Sequence, residues 1–426
     1  MNTRNEFIKQ YTTIAESTLA VMLDRFEKHP QYGYLDTKFD LFTRKDNFDN
    51  PDKAMEFRSG KFVYSWIQGR GAESLAGHLQ AGLNDPNRIK NALRILCDKL
   101  YDVYLKNGKR MFFILSPEGK WLNPDGSHRT EAVPGKANYS DIFVSKGLLT
   151  AANALGDKML QDEMAKWLKE ILDAVAANKF VTDQQPFDPA NPVAAQPGKI
   201  LQGPFMIALG GIANAAVITQ DEEFLDYGCR FISRILDIHT REVDGKMEFF
   251  EAAHEDDSPW VENNKLLCDP GHTLEFIGLA QRFLFILEKA KRPQDTELLQ
   301  RCRKVFPRLL DDTFAIGFSK KAQGVIKSYD LIAKEAINSD MPWWSLPETI
   351  RAAAENEVFC NTDQSEIISL CTKALWEKFT IPECGYFAWQ TRNSDGVPSA
   401  AIPAVPDLDP GYHTNLALLD TIALWK

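Results

Sequence analysis

The chain has 426 residues with 44% hydrophobic and 25% charged composition, which is enough for a large core and argues against disorder. Its net charge of −10 and the lack of any run of lysines and arginines argue against a nucleic-acid-binding surface.

Apolar residues recur at helical spacing along most of the chain, which predicts about twelve helices, many of them in closely spaced pairs. Short connections such as "NDPN" (84–87) and "LGDK" (155–158) suit antiparallel helix hairpins. In chain order, the predicted helices cover residues 5–28, 68–84, 86–106, 140–156, 158–177, 204–218, 221–238, 272–290, 294–313, 344–356, 364–379 and 411–425.

Between several helix pairs lies an aromatic or apolar run broken by turn residues, a pattern typical of a short β-hairpin. Three such segments lie at 110–122, 317–329 and 385–399. Helix pairs and hairpins alternate with a period of roughly 60–70 residues. The longest irregular stretch, 182–199, is expected to form a loop over one end of the fold.

This order of elements predicts an all-α fold, an (α/α)6 barrel in which six helix hairpins close into a ring with short β-hairpins at one end. The N-terminal helix would seal the ring beside the C-terminal helix. No linker rich in Pro, Gly or Ser divides the chain, so residues 1–426 are expected to form a single domain. An open helical solenoid is the alternative.

The seven cysteines are scattered and no CxxC pair occurs, so neither a zinc ribbon nor a disulfide framework is expected. The N-terminal segment lacks the apolar core of a signal peptide, and no apolar run is long enough to span a membrane. The sequence therefore predicts a cytoplasmic protein.

The inner helices of such a barrel run parallel, so the side chains of their first turns gather at one mouth. The third inner helix begins with the apolar stretch "GPFMIA", whereas other starts carry polar or aromatic side chains. The tripeptide Asp-Pro-Gly occurs at 269–271 and 409–411, which predicts one helix-start geometry used twice, each time followed by a histidine. The first-turn candidates are Arg70, His272, Glu275, Trp343, Trp344, Glu348 and His413.

His272 and Glu275 share a helical face with Phe276, Leu279 and Phe283, which directs both polar side chains toward the barrel axis. The positive end of the helix dipole is expected to keep both site histidines neutral. A neutral imidazole is the form required of a general base.

Each candidate also has an ordinary structural interpretation. His272 and Glu275 could satisfy hydrogen bonds at a helix start, and HxxE spacing also occurs in carboxylate-bridged metal sites. Arg70 could pair with Glu73, and His413 and the tryptophans could be core residues. Their collection at one end favours acid/base chemistry. No GxSxG, HExxH, P-loop or GxGxxG motif supports a hydrolase, zincin or nucleotide-binding interpretation.

Four motifs stand in a fixed order along the chain: "WIQGR" (66–70), "PGHTLE" (270–275), "WWSLPE" (343–348) and "YHTNLAL" (412–418). Together they resemble the motifs of the N-acylglucosamine 2-epimerase superfamily, which also contains cellobiose 2-epimerases and mannose or sulfoquinovose aldose–ketose isomerases. The resemblance runs from about residue 60 to the end, and PGHxxE is its most specific element. It implies an (α/α)6 fold and an isomerase.

The resemblance implies proton transfer through an enediolate at C2 of a free aldose or N-acylhexosamine, with no metal and no cofactor. His272 and His413 would be the acid/base pair. Glu275 would tune or orient His272 or bind a hydroxyl, and Arg70 would stabilise the enediolate oxygen. The substrate-binding side chains would be Trp343, Trp344, Glu348, Tyr64, Trp66 and Met206.

Two histidines acting on opposite faces would give 2-epimerisation, whereas one group shuttling a proton between C2 and C1 would give aldose–ketose isomerisation. The chain departs from the superfamily in two places. "PFMIAL" (204–209) lacks the histidine that related cellobiose epimerases and isomerases carry on the third inner helix, and Asn415 and Leu416 replace a frequent Pro-Arg pair. The identity of the sugar therefore stays open.

Two further functions are left open by the sequence. A glycoside hydrolase or lyase would need two acidic residues across the cleft, with candidates Glu248, Glu251, Glu255, Asp256 and Glu348. A non-catalytic barrel would bind a sugar or a protein partner. The expected partner is a small carbohydrate, with neither nucleic acid nor membrane, and a homodimer is open.

Overall fold

The computed structural model describes residues 3–83, 85–130, 136–184, 196–401 and 405–426. Most of the predicted loop 182–199 therefore lies outside the described residues. The helices are α1 (Thr3–Lys28), α2 (Ser65–Ala81), α3 (Pro86–Lys106), α4 (Tyr139–Leu155), α5 (Lys158–Ala176), α6 (Gly203–Thr219), α7 (Glu222–Ile238), α8 (Pro270–Ala290), α9 (Thr296–Gly317), α10 (Ser345–Phe359), α11 (Ser365–Ala374) and α12 (Ala417–Trp425). Two π-helical segments, Leu375–Phe379 and Tyr412–Leu416, extend α11 and precede α12.

The helices close into a ring. The inner helices pack in sequence, each against the next, in the order α2, α4, α6, α8, α10 and α12. The ring closes where α12 and the π-helical turn before it pack against α2. The alternate helices α3, α5, α7 and α9 pack outside this ring, and α1 packs against both α12 and α3. The (α/α)6 barrel is confirmed, and the open solenoid is excluded because the last inner helix contacts the first.

The closest approach in the ring joins α2 and α4. A Cβ added to Gly69 would lie 2.5 Å from the carbonyl oxygen of Phe143, and one added to Gly147 would lie 2.3 Å from that of Gly69. Only glycine allows backbones this close. This contact brings the polar side chains of α2 and α4 together inside the barrel.

The strands are short, and five inner helices each begin within three residues of the end of a strand. They are Phe39–Asp40, Lys45–Asp46, Val63–Tyr64, Ile114–Leu115, Ala137–Asn138, Phe180–Val181, Ile200–Leu201, Thr240–Val243, Lys246–Phe249, Ala252–Ala253, Val261–Glu262, Lys265–Cys268, Phe318–Ser319, Gly324–Val325, Ser328–Asp330, Glu335–Asn338, Met341–Pro342, Thr380–Ile381, Phe387–Ala388, Thr391–Arg392 and Pro398–Ser399.

The predicted hairpins in 317–329 and 385–399 are present as antiparallel pairs. In 110–122, strand Ile114–Leu115 pairs with Val63–Tyr64, and the chain folds back through a single bridge between Leu115 and Trp121. The hairpin in 240–249 and a four-stranded sheet formed before α8 and α10 were not predicted. Among the described helices, none combines the length and apolar character needed to cross a membrane.

Candidate active site

His272 lies in the first turn of α8, behind an aspartate cap. The Asp269 carboxylate accepts hydrogen bonds from the backbone N–H of Gly271 (3.0 Å) and His272 (3.3 Å), and Pro270 occupies the first helical turn. A Cβ on Gly271 would lie 2.7 Å from both Ser345 Oγ and the Trp344 ring. The glycine therefore lets the start of α8 dock against the start of α10.

His272 is held between two carboxylates. Its Nδ1 lies 2.9 Å from Glu251 Oε2 and 3.4 Å from Asp269 Oδ2, and Lys327 pairs with Asp269. Burial lowers the pKa of His272, but Asp269 and Glu251 outweigh it and raise this pKa to about 9. The imidazole is therefore protonated at neutral pH, and the expectation of a neutral His272 is wrong.

The segment that leads to His413 has a different backbone conformation, although it also contains Asp-Pro-Gly. Gly411 adopts the left-handed conformation with φ +88°, and a π-helical turn starts at Tyr412. The Asp409 carboxylate accepts from the backbone N–H of Tyr412 (3.0 Å) and Thr414 (3.3 Å). The two Asp-Pro-Gly segments share an aspartate cap, but the prediction of one helix-start geometry used twice is wrong.

The environment of His413 shifts its pKa in the opposite direction. Its Nδ1 lies 3.1 Å from Glu348 Oε1 and 3.7 Å from Glu275 Oε1. Burial lowers the pKa of His413 to about 4, and the opposing carboxylate of Glu275 does not overcome it. The structure thus places Glu275 beside His413 and not, as expected, as the partner of His272.

Glu348 links His413 to a buried cation. Burial raises the pKa of Glu348 to about 7, while the guanidinium of Arg351 pairs with it and favours the carboxylate. When Glu348 is ionised, Nδ1–H of His413 donates to it, and Nε2 is left as the basic nitrogen.

Trp344 lies between the two histidines. Its ring centroid is 5.6 Å from that of His272 and 5.4 Å from that of His413. Trp343 lies alongside, donating from Nε1 to Thr414 Oγ1 at 3.1 Å. The two imidazoles, one protonated and one neutral, therefore share one aromatic wall.

Arg70 lies close to the π-helical turn that carries His413. Its guanidinium carbon is 4.3 Å from the centroid of the Phe143 ring and 5.3 Å from that of Tyr412. The Nε atom has no hydrogen-bond partner in the part of the chain that the structure describes. Glu73, the expected partner of Arg70, instead pairs with Lys146 at 2.9 Å.

Three of the predicted substrate-binding side chains are buried in the barrel wall. Tyr64 has no exposed surface and donates its hydroxyl to the carbonyl of Phe57. Trp66 is enclosed by aromatic rings and donates from Nε1 to Asp183, and Met206 is buried in the first turn of α6. The contact of these three with a sugar stays a prediction, whereas Trp344 and Glu348 lie beside the histidines.

One group in the site has the donors of a metal centre. Glu275, Glu348 and His413 each offer one ligand atom within 4.8 Å of the others. Carboxylates and imidazole are ligands of several divalent metals. The guanidinium of Arg351 already pairs with Glu348, however, and its charge opposes a second cation there.

The sequence did not predict Asp269, Lys327, Lys146 or Arg351 as part of the site, and Glu251 was considered only as a glycosidase acid. The aspartate of Asp-Pro-Gly and a lysine inside the apolar run "IFVSKGLL" (142–149) were usable signals. Nothing in the local sequence links Glu251 to His272, because three short strands and the turns between them separate the two residues.

The N-acylglucosamine 2-epimerase (GlcNAc 2-epimerase) family matches residues 104–417, well over half of the chain. A search of curated proteins finds no match. Among solved structures, a cellobiose 2-epimerase from Bacillus thermoamylovorans B4167 is 12% identical, with a TM-score of 0.69 over 99% of this chain and 100% of that one.

A cellobiose 2-epimerase from Spirochaeta thermophila DSM 6192 is 14% identical, with a TM-score of 0.66 over 100% of this chain and 98% of the other. A D-mannose isomerase is also 14% identical, with a TM-score of 0.64 over 95% and 97%. These structures share the barrel fold. The family match over residues 104–417 shows that the chain belongs to the N-acylglucosamine 2-epimerase family.

Proposed function

We propose that this protein is a sugar 2-epimerase that inverts C2 of a free aldose or an N-acylhexosamine by two-histidine proton transfer through an enediolate. Membership of the family indicates a carbohydrate epimerase or isomerase. The observation that carries the finer proposal is the pair His272 and His413, which flank Trp344 with pKa values near 9 and 4.

The opposite pKa shifts assign the two roles. His413 is neutral at pH 7, so its Nε2 accepts the proton from C2, and the resulting imidazolium is stabilised by Glu348 and Glu275. His272 is already protonated, so it donates a proton to the opposite face of C2. Two titratable groups whose environments push their pKa values apart are typical of an acid/base pair.

Arg70 supplies the fixed cation that the enediolate requires. Charge develops on the sugar oxygen only as the C2 proton leaves, so a preorganised donor at that position lowers the barrier. The guanidinium of Arg70 packs against the faces of Phe143 and Tyr412, and its Nε–H has no hydrogen-bond partner among the described residues. In the proposed mechanism, the guanidinium binds the oxygen on C1 or C2.

The alternative is an aldose–ketose isomerase on the same site, in which one group moves the proton between C2 and C1. A single shuttling group would need only one of the two histidines. The two imidazoles with opposite pKa shifts on either side of Trp344 therefore favour the epimerase.

Deuterium wash-in tests the proposal. The protein is incubated in D₂O with a panel of free aldoses and N-acylhexosamines, and products are resolved by NMR. The epimerase predicts a C2 epimer carrying one deuterium at C2. A ketose labelled at C1 would establish the isomerase instead, and release of a new reducing end from a disaccharide would establish a hydrolase. Sugar binding with no exchange would leave a non-catalytic barrel and refute the proposal.

A further inference from the structure

A fully buried lysine lies inside the barrel beside the proposed site. Lys146, on α4, has no exposed surface, and its Nζ is 2.9 Å from Glu73 Oε2. The same ammonium group donates a hydrogen bond to the hydroxyl of Tyr412, the residue directly before His413. Burying an ammonium ion is costly unless a carboxylate and hydrogen-bond acceptors surround it. Lys146 therefore occupies a site built for it.

The lysine controls which cation Glu73 binds. Glu73 follows Arg70 by three residues on α2, a spacing at which helical side chains are neighbours and a carboxylate attracts a guanidinium. In the structure Glu73 is turned to Lys146, and its second oxygen accepts from Asn214 Nδ2 at 2.9 Å. Glu73 Oε1 is thus hydrogen-bonded to Asn214 and Oε2 faces the Lys146 ammonium group, so the carboxylate is directed away from Arg70.

The close contact between α2 and α4 makes this arrangement possible. Gly69 and Gly147 allow the backbones of α2 and α4 to touch, so Lys146, the residue before Gly147, reaches the side of α2 that faces the barrel interior. Lys146 also lies 4.4 Å from the centroid of the Tyr412 ring, the ring over which Arg70 is held. The Lys146 ammonium group thus neutralises Glu73, which would otherwise attract Arg70. It also binds Tyr412, one of the two aromatic rings that Arg70 packs against.

We propose that Lys146 is a positioning residue that binds Glu73 and Tyr412 and so keeps the Arg70 guanidinium free for the substrate oxygen. The inference rests on the proposed function, because Arg70 acts on the enediolate there. It predicts that the harm of losing Lys146 comes from the freed Glu73 carboxylate, and not from the loss of the lysine as such.

The test removes the cation and then the carboxylate. Lys146→Met keeps a long side chain without charge, and we expect kcat to fall by ~10-fold or more with KM little changed, within the ~10²–10³-fold cost of deleting an oxyanion donor. The double variant Lys146→Met/Glu73→Gln should regain most of the lost kcat.

Arg110→Met is the matched control. Arg110 pairs with Asp141, a buried carboxylate on the same helix α4, at 2.9 Å but contacts neither Arg70 nor Tyr412 in the described structure. This control should lower the melting temperature without a comparable loss of kcat. The inference is overturned if the double variant is no more active than Lys146→Met, or if Arg110→Met loses as much kcat as Lys146→Met. Absence of C2 exchange in the native protein would instead refute the proposed function.

Discussion

Replacing Glu251 by glutamine tests the assignment of His272 as the acid. The substitution keeps the size of the side chain and leaves an amide oxygen that accepts from Nδ1 of His272, but it removes the negative charge 2.9 Å away. Asp269 remains at 3.4 Å. Because both carboxylates raise the pKa of His272 to about 9, losing one should lower that pKa while leaving the geometry in place.

The expected shift can be worked from the contacts. An opposite charge within hydrogen-bonding distance moves a pKa by ~1–3 units, and with Asp269 retained we take ~1.5 units, to ~7.5. His272 acts as a proton donor only below its pKa, so activity is present at low pH and is lost as pH rises through that value. At pH 8 the protonated fraction falls from ~0.9 to ~0.25, a three- to fourfold loss of rate, whereas at pH 6.5 it falls only from ~1.0 to ~0.9.

The assay is the pH dependence of kcat for C2 exchange between pH 5.5 and 9.5. Glu248→Gln is the control, because Glu248 is a buried carboxylate three residues away that pairs with Arg241 and Lys334 and not with a histidine. Only Glu251→Gln should move the alkaline limb to lower pH. An unchanged alkaline limb in Glu251→Gln, or an equal shift in the control, would refute the role of His272 as the protonated acid.

Three further outcomes follow from the same site. His272→Ala and His413→Ala should each lower kcat by ~10²-fold or more, and turnover near the native rate in either would contradict the two-histidine mechanism. Dialysis against EDTA should leave turnover unchanged, and a loss restored by a divalent metal would show the opposite. Gly271→Ala should destabilise the fold by ~1–3 kcal/mol because its Cβ would meet Trp344 and Ser345, as measured by urea unfolding; an unchanged midpoint would contradict it.

The helices were predictable because their signal is local. Helix α7, predicted at 221–238, spans Glu222–Ile238, with Asp221 as its cap and one face buried. The short strands outside the predicted hairpins were not, because pairs such as Val261–Glu262 with Lys265–Cys268 carry no clear alternation of apolar residues. Strands of two to four residues depend on neighbouring elements for stability, and a single sequence does not display those neighbours.

The candidate site residues could be selected from the sequence, but their partners could not. The motif order pointed to His272, His413, Glu275 and Arg70 as candidates, since each stands near a helix start. The helix dipole was expected to decide the charge of the histidines, yet it is worth only ~0.3–1 kcal/mol, less than the ~1.4 kcal/mol of a single pKa unit. The carboxylates of Asp269 and Glu251 together outweigh it at His272.

The difference between the two Asp-Pro-Gly segments is what gives the proposed reaction both an acid and a base. At α8, Gly271 is part of the helix, so the capping carboxylate of Asp269 also reaches Nδ1 of His272 and favours its charged form. At the second segment, Gly411 takes the left-handed conformation and the histidine is buried against the neighbouring helices. The carboxylates of Glu275 and Asp409 raise its pKa there, but they do not overcome the cost of burying its charge. Two identical helix starts would have given two histidines in the same protonation state. The site would then lack either the base that removes the C2 proton or the acid that returns one to the opposite face.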